Sequence, residues 1–309
     1  MVNVLILGAN SFIAAHMVKL LAANNQLKLT VFSRKTETVK DEHIQYFTGD
    51  YTDSSVLSKA LSGQDIVYHF ISQSYPFSSW ETPAAEIHQN ILPFINFIEL
   101  CNAANIKKIV FTSSGGTVYG VNEKSCSELT PTNPYSPHGI SKLYMENLLL
   151  YAHSRYGIAY DIYRVSNAYG NGQDINTGLG FINTSLVRIV NGKSVIIYGN
   201  GDMVRDYIFV DDVCNLLALS ITKKLTAGDV YNTCTGISVS LNDIIRIIKH
   251  ELQIDFNVEY LDKRKSDNPT VYLDNKKLLE CFPGYHFVSL EEGIKRVYAS
   301  IKNSKKTIV

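Results

Sequence analysis

Cysteine is scarce and carries no pairing pattern: Cys101, Cys126, Cys214, Cys234 and Cys281 are odd in number and form no Cys-x-x-Cys spacing. This usage excludes a disulfide framework and a thiolate zinc site, and it is what reduced thiols in a cytoplasm would look like. Excess charge of either sign is also missing. Lys+Arg and Asp+Glu stand at 29 each, so nothing draws the whole chain to nucleic acid or to an anionic membrane. The basic tail Lys302–Lys306 reads as a solvated end. No apolar run approaches ~18–20 residues, and Met1 leads into an apolar strand with no basic region before it. Neither a membrane span nor a signal peptide is therefore expected. Self-similarity at a period of ~20–50 residues is lacking, which removes repeat architectures. No Pro/Gly/Ser-rich linker separates independent domains.

What is present is an ordinary globular composition, 45% apolar and 19% charged over 309 residues. That length can bury a large core and suits one domain with a smaller lobe. Short apolar runs at Val2–Leu7, Lys28–Phe32, Ile44–Phe47, Ile66–Ile71, Ile109–Thr112 and Tyr160–Arg164 read as strands. Between them, Phe12–Leu21, Ser54–Leu61, Ile87–Ala104 and Ser141–His153 have helical periodicity. This alternation predicts βαβ units, an α/β fold with a doubly wound parallel sheet covered on both faces. After Asn167 the rhythm breaks at the glycine-punctuated segment Gly170–Gly180, and shorter strands follow. The expected division is a domain at 1–166, with a returning segment near 207–235, and a smaller C-terminal lobe at 167–206 and 236–309.

The first strand runs into Gly8-Ala9-Asn10-Ser11-Phe12-Ile13-Ala14, a tight turn opening a helix. A strand, turn and helix N-terminus of this kind point backbone N–H groups and the positive helix end at a pyrophosphate. Gly8, Asn10, Ser11, Phe12 and Ile13 are the candidate cofactor contacts of a Rossmann-type site. Ser11 and Ala14 replace the second and third glycines of the usual pattern. Ala14 only needs close helix–strand packing; Ser11 stands where backbone must approach phosphate. Asp50, after the third strand, is placed to contact an adenine, and His69-Phe70-Ile71-Ser72 ends the fourth strand where a dinucleotide would cross. At the end of the second strand, Ser33-Arg34-Lys35 offers no carboxylate for a ribose 2′-OH. Hydroxyl and cationic groups suit a 2′-phosphate, so the expected cofactor is NADP(H), with NAD tolerated. A basic loop on a solvated surface is the alternative reading of that tripeptide.

Four further phrases carry a resemblance. They are Thr112-Ser113-Ser114-Gly115-Gly116-Thr117-Val118-Tyr119-Gly120; Pro134–Glu146 with Lys142 four residues before Glu146; Arg164–Gly170; and Val204–Asp212. In this order and spacing the chain resembles the nucleotide-sugar epimerases, dehydratases and 4-ketoreductases of the extended short-chain dehydrogenase/reductase family, from Val2 to near Ile294. The resemblance implies that a hydroxyl after the fifth strand hydrogen-bonds the reacting sugar oxygen. The usual position falls on Gly115, which leaves Ser114 and Thr117 as candidates. It also implies a Tyr-x-x-x-Lys pair in which the lysine stabilises a phenolate and binds the nicotinamide ribose. Lys142 is in place, but the tyrosine position holds His138.

Histidine has a reference pKa of about 6.5 against about 10 for tyrosine. A neighbouring Lys142 cation would lower it further and leave a neutral imidazole at neutral pH, competent as a base. Three roles stay open: His138 as the acid/base; transfer of that task to Tyr135, Ser114 or Thr117; or a site that binds without turnover. Tyr135 also has a packing role as its alternative. For substrate, the resemblance implies that Asn167, Arg205 and Arg264 hold a nucleotide diphosphate and that Tyr198 lines the base pocket. Asn90, an unfavourable helix-interior residue, matches a position that supports the lysine. The basic second-strand end tips the expected reaction toward NAD(P)H-dependent reduction at C4 of a nucleotide-diphosphate 4-keto-6-deoxyhexose. A UDP-hexose 4-epimerase with tightly bound NAD is the first alternative and a non-catalytic NAD(P)-binding regulator the second. No acidic pair in the Ser114–Thr117 strip supports a dehydratase. The resemblance implies a homodimer, and the cysteine usage a cytoplasmic location.

Overall fold

Val4, Leu5, Ile6 and Leu7 are all completely buried, as a strand covered on both faces requires. They form β1 (Val2–Leu7), which pairs in parallel with β2 (Leu27–Ser33) on one side and β4 (Ile66–His69) on the other. The structure is a computed structural model that describes residues 1–35, 41–74, 78–122, 124–175, 180–222, 225, 227–263 and 270–306. With β3 (Ile44–Thr48), β5 (Lys108–Ser114), β6 (Ala159–Val165) and β10 (Gly228–Thr233), the seven-stranded sheet has the order β10-β6-β5-β4-β1-β2-β3. Strand order therefore reverses at β1. In a doubly wound sheet ligands bind outside the carboxyl ends of the strands at that point.

Helices α1 (Phe12–Ala22) and α2 (Ser54–Leu61) follow their strands as predicted, and Asp53 caps α2 by accepting from the Ser55 and Val56 N–H groups. After a single turn α3 (Pro83–Ala85), the stretch 87–104, expected as one helix, is two pieces: a π-helical turn Glu86–Ile91 and α4 (Leu92–Ala103). Pro93 has no N–H to give to the preceding turn, which accounts for the break in the regular ladder. Helical π turns recur at functional positions. After a short helix α5 (Gly115–Val118) comes α6 (Pro137–Tyr156). It begins four residues before the predicted start because Ser136 accepts the Gly139 N–H and Pro137 occupies the first turn. Serine followed by proline is a helix-start signal. His138 thus sits in the first turn of α6, and Lys142 lies in the second turn instead of beginning the helix. Leu57, Phe94, Phe97, Phe111, Met145 and Leu149 form the core that seats α2, α4 and α6 on the sheet.

Clustering by contacts divides the chain into two compact units. The first is Met1–Val118, Thr132–Arg164 and Cys214–Tyr231; the second is Tyr119–Pro131, Val165–Val213 and Asn232–Val309. The segment 119–131 thus belongs with the later residues, and the returning segment is 214–231. In the second unit β7 (Asn167–Tyr169), β9 (Val204–Phe209) and β11 (Ser238–Ser240) form a sheet in the order β11-β9-β7. β8 (Val195–Tyr198) pairs in parallel with β12 (Val258–Leu261). Its core draws Ile182 and Leu186 from α7 (Phe181–Val190), Ile244 and Ile248 from α9 (Leu241–Leu252), and Ile294 and Val297 from α11 (Leu290–Lys306). α8 (Val210–Ala218) and α10 (Lys276–Cys281) complete the elements named here. Among the described residues no helix is long and apolar enough to cross a membrane.

Candidate active site

The turn after β1 is built for close approach. Gly8 has φ +81°, and its N–H donates to Phe32 O at 3.0 Å. A Cβ at this position would stand 3.1 Å from Ile71 Cγ1 and 3.3 Å from Ile71 N. Glycine is therefore required twice, by the left-handed backbone and by the chain that follows β4. Ser11 is the N-cap of α1 but makes no side-chain bond to the first turn. That leaves the helix-end N–H groups available to a ligand's oxygens. Asn10 and Ser11 are exposed, Phe12 and Ile13 half-buried, and Ala14 fully buried, as the close helix–strand packing expected there demands. The end of β4 divides its work. His69 packs between Tyr51, Phe94 and Phe97, and Ile71 faces Gly8.

At the end of β2, Ser33 is buried and donates its hydroxyl to Lys35 O at 2.6 Å. Its oxygen is thus partly committed to its own loop, while Arg34 is exposed. Asp50 is exposed as well. Hydrogen bonds from the Thr52 hydroxyl and N–H, with a smaller contribution from Arg34, hold its carboxyl below the usual carboxylate range.

His138 and Lys142 lie on one face of α6, one turn apart, and both are buried. Lys142 Nζ donates to Thr112 O at 3.0 Å and lies 4.8 Å from the Phe111 ring centroid. Burial lowers its pKa to about 8 against the opposing pull of Glu86 and Glu146. Burial also brings His138 down to about 3, with the Lys142 cation as the second cause. The expected direction holds, but the protein interior outweighs the lysine. His138 Nδ1 stands 3.4 Å from Ser74 Oγ, and the His138 backbone N–H donates to Ser79 Oγ at 3.2 Å. A buried, neutral imidazole beside a buried amine can take up a proton and return it.

The hydroxyl candidates separate. Ser113 donates to Glu146, which also pairs with Arg164 at 2.7 Å, so Ser113 belongs to a buried ion-pair network behind α6. Ser114, on the other side of the strand, is half-buried. Thr117 is buried, with Oγ1 3.5 Å from Ser114 O. Tyr135 is 38% exposed and its ring packs 6.1 Å from Trp80, in line with the packing alternative. Asn90 sits in the π turn packed against α6. Its Oδ1 accepts the Gln73 N–H at 2.9 Å, and its Nδ2 donates to Ser74 Oγ and Glu86 Oε2. Ser74 and Glu86 escaped the sequence reading. Neither stands in a motif, and only the fold brings them to His138 and Asn90.

Of the residues expected to hold substrate, Asn167 donates Nδ2 to Asp206 O at 3.0 Å, and Arg205 donates Nη1 to Val204 O at 2.8 Å. β7 and β9 run in parallel with Asn167 opposite Tyr207, which brings the two residues onto neighbouring strands. Asp206 between them is buried. Burial raises its carboxyl, while hydrogen bonds from Thr235 and Ser166 oppose that rise. Tyr198 is half-buried at the end of β8. Arg264 lies outside the described residues.

Residues 4–234 match the NAD dependent epimerase/dehydratase family. The chain belongs to this family. A Methanocaldococcus jannaschii relative, provisionally described as a UDP-glucose 4-epimerase, is 33% identical over 308 residues, spanning 98% of this chain and 100% of its own. The dTDP-4-dehydro-6-deoxyglucose reductase of Escherichia coli is 27% identical over 310 residues, 97% of this chain and 98% of its own. Among solved structures, Thermotoga maritima UDP-glucose 4-epimerase with UDP-glucose is 29% identical at a TM-score of 0.89, covering 99% of this chain and 100% of that one. Thermus thermophilus UDP-glucose 4-epimerase in complex with NAD is 27% identical at 0.87, covering 98% and 99%. This epimerase/dehydratase family member is thus an extended short-chain dehydrogenase/reductase enzyme with a Rossmann-type fold, of the nucleotide-sugar oxidoreductase and epimerase group.

Proposed function

We propose that the protein is a nucleotide-sugar 4-epimerase acting on a UDP-hexose, with His138 as the group that takes the C4 hydroxyl proton and gives it back. The observation that carries this reading is the state of His138. Burial and the Lys142 cation one turn away keep the imidazole neutral before reaction. A 4-ketoreductase starts from a ketone and needs a proton donor at once, and neutral imidazole is a poor one. An epimerase starts from an alcohol and needs a base first; the proton it takes is the proton it later returns. The resemblance to the 4-epimerases of Methanocaldococcus jannaschii and Thermotoga maritima supports the same choice over the reductase.

In this reading Gly8, Asn10, Ser11, Phe12 and Ile13 hold the pyrophosphate of a dinucleotide, and Asp50 contacts its adenine. The bound nicotinamide supplies a hydride acceptor that later returns the hydride to the same sugar carbon. Lys142 holds the nicotinamide ribose, and its ammonium lowers the energy of negative charge growing on the sugar oxygen. Ser114 and Thr117 orient that oxygen. Asn167, Arg205 and Arg264 take the sugar diphosphate, and Tyr198 the base. The resemblance to the NAD-bound Thermus thermophilus 4-epimerase supports NAD at this pocket, while the exposed Arg34 after β2 would suit the 2′-phosphate of NADP(H). Apolar residues exposed on α6, among them Ile140, Tyr144 and Tyr151, support the expected homodimer.

Purified protein incubated with UDP-glucose, UDP-N-acetylglucosamine and UDP-glucuronate, with products separated by chromatography, tests the reading. Appearance of the C4 epimer without net change in nicotinamide absorbance is the expected result. Stoichiometric oxidation of NADPH by a dTDP-4-keto-6-deoxyhexose, with no epimerisation, would replace it with the reductase.

A further inference from the structure

We propose that Glu86 is a positioning residue of this reaction: through Asn90 and Ser74 its carboxylate orients the His138 imidazole and compensates the charge His138 gains on taking the sugar proton. The inference rests on the reading of His138 as the acid/base group.

Glu86 lies in the π turn and is 4% exposed. Its Oε2 accepts from Asn90 Nδ2 at 3.0 Å, while its Oε1 is buried without a hydrogen-bond partner among the described residues. Asn90 cannot be turned over, because its Oδ1 is taken by the Gln73 N–H. Its amide nitrogen therefore faces both Glu86 and Ser74 Oγ, the latter at 3.1 Å. Ser74 Oγ is in turn 3.4 Å from His138 Nδ1. A buried carboxylate thus ends a hydrogen-bonded chain that begins at the imidazole.

The charges explain why such a chain is needed. Neutral His138 becomes a cation when Nε2 accepts the hydroxyl proton, and the nearest charge is another cation, Lys142. Two buried cations one turn apart repel strongly in a low-dielectric setting. The groups facing them are Glu146 on α6 itself, Glu86 from the π turn packed against α6, and His69 at the end of β4, which burial and Lys142 keep neutral. Glu146 is already spent on Arg164 and Ser113. Glu86 has the neutral Asn90 as its partner among the described residues, and it reaches the histidine through Asn90 and Ser74. It already acts on Lys142, whose pKa it raises against burial. The protonated imidazole has two donors and no acceptor. Its Nδ1–H needs an oxygen, which Ser74 supplies. The same bond in the neutral state, with Nδ1–H donated to Ser74, leaves the Nε2 lone pair for the sugar hydroxyl.

Glu86→Gln keeps an acceptor for Asn90 and removes only the charge. With the UDP-hexose turned over in the panel above, we expect kcat to fall about 10- to 100-fold, less than the ~10²–10⁴-fold of a direct general acid–base group, with KM little changed. The alkaline limb of the kcat profile should move to lower pH, since Lys142 loses a neighbour that holds its proton. The melting temperature should not fall, because an unpaired buried carboxylate is removed. Glu86→Asp, which restores the charge, should recover much of the rate. In the His138→Ala background, Glu86→Gln should cost nothing further. An unchanged kcat and pH limb in Glu86→Gln would overturn the proposal. Equal losses in Glu86→Gln and Glu86→Asp with a lowered melting temperature would do the same, since they mark a structural glutamate. The two layers are separable. If His138→Ala turns over like the wild type, the acid/base reading fails; if it is inactive while Glu86→Gln is normal, only the positioning role falls.

Discussion

Replacing Lys142 by methionine should stabilise the protein while removing its activity. Lys142 is 7% exposed, and its pKa drops from 10.5 to about 8 on folding, with burial as the leading cause. A pKa lowered by about 2.5 units means that the folded state disfavours the ammonium by about 3 kcal/mol relative to the unfolded chain. Methionine fills similar space without charge but forfeits the bond to Thr112 O, a loss of about 1 kcal/mol. The variant should therefore be more stable by about 2 kcal/mol at neutral pH, a few degrees in melting temperature. The pH dependence identifies the cause. Below pH 8 the lysine is charged in both states and the penalty is complete. Between about pH 8 and 10.5 the folded protein releases the proton while the unfolded chain keeps it, so the wild type gains on the variant as pH rises. Above that window the advantage of the variant is gone and the lost bond leaves it slightly weaker. Scanning calorimetry on both proteins from pH 6 to 11 reads the difference directly. A constant difference over this range, or a variant less stable at pH 7, would refute the reasoning.

His138→Ala should lower kcat by at least ~10²-fold while fluorescence titration shows dinucleotide affinity within a few-fold of wild type. If turnover survives, Tyr135→Phe is the next variant to assay. Gly8→Ala meets both the +81° φ and the 3.1 Å approach to Ile71, and should cost about 1–2 kcal/mol of stability from the backbone alone, seen in urea melts, together with weaker dinucleotide binding. Arg34→Asp should weaken NADP(H) at least ~10-fold and leave or improve NAD binding, measured by calorimetric titration of each dinucleotide. Arg205→Ala should raise KM for the UDP-sugar more than it lowers kcat, because a diphosphate contact remote from C4 serves ground and transition state alike.

Much of the molecule is legible from residues alone because local chemistry is enough to specify it. The apolar run Val2–Leu7 followed by Gly8 dictates a buried strand and a left-handed turn. Asp53 starts α2 at the predicted residue, and the spacing of His138 and Lys142 puts both on one helix face whatever surrounds them. The true start of α6 was also written in Ser136-Pro137, a signal overshadowed by the glycine and serine nearer the lysine. The break at Pro93 could likewise be read from proline's missing donor, though its outcome as a π turn could not. Other facts belong to tertiary structure. Ser113, next to the candidate Ser114, is claimed by Glu146, since alternate residues of β5 face opposite sides of the sheet. The neutral state of His138 follows from how deeply it is buried beside Lys142, which no residue type reveals. Ser74 and Glu86 stand 64 and 52 positions before His138 in the chain, and no spacing rule connects them. The residue types and their periods determined the sheet, the dinucleotide turn and the helix that carries His138. Packing alone decided the charge state of that histidine and its link to Glu86, because desolvation and hydrogen-bond partners come from neighbours in space.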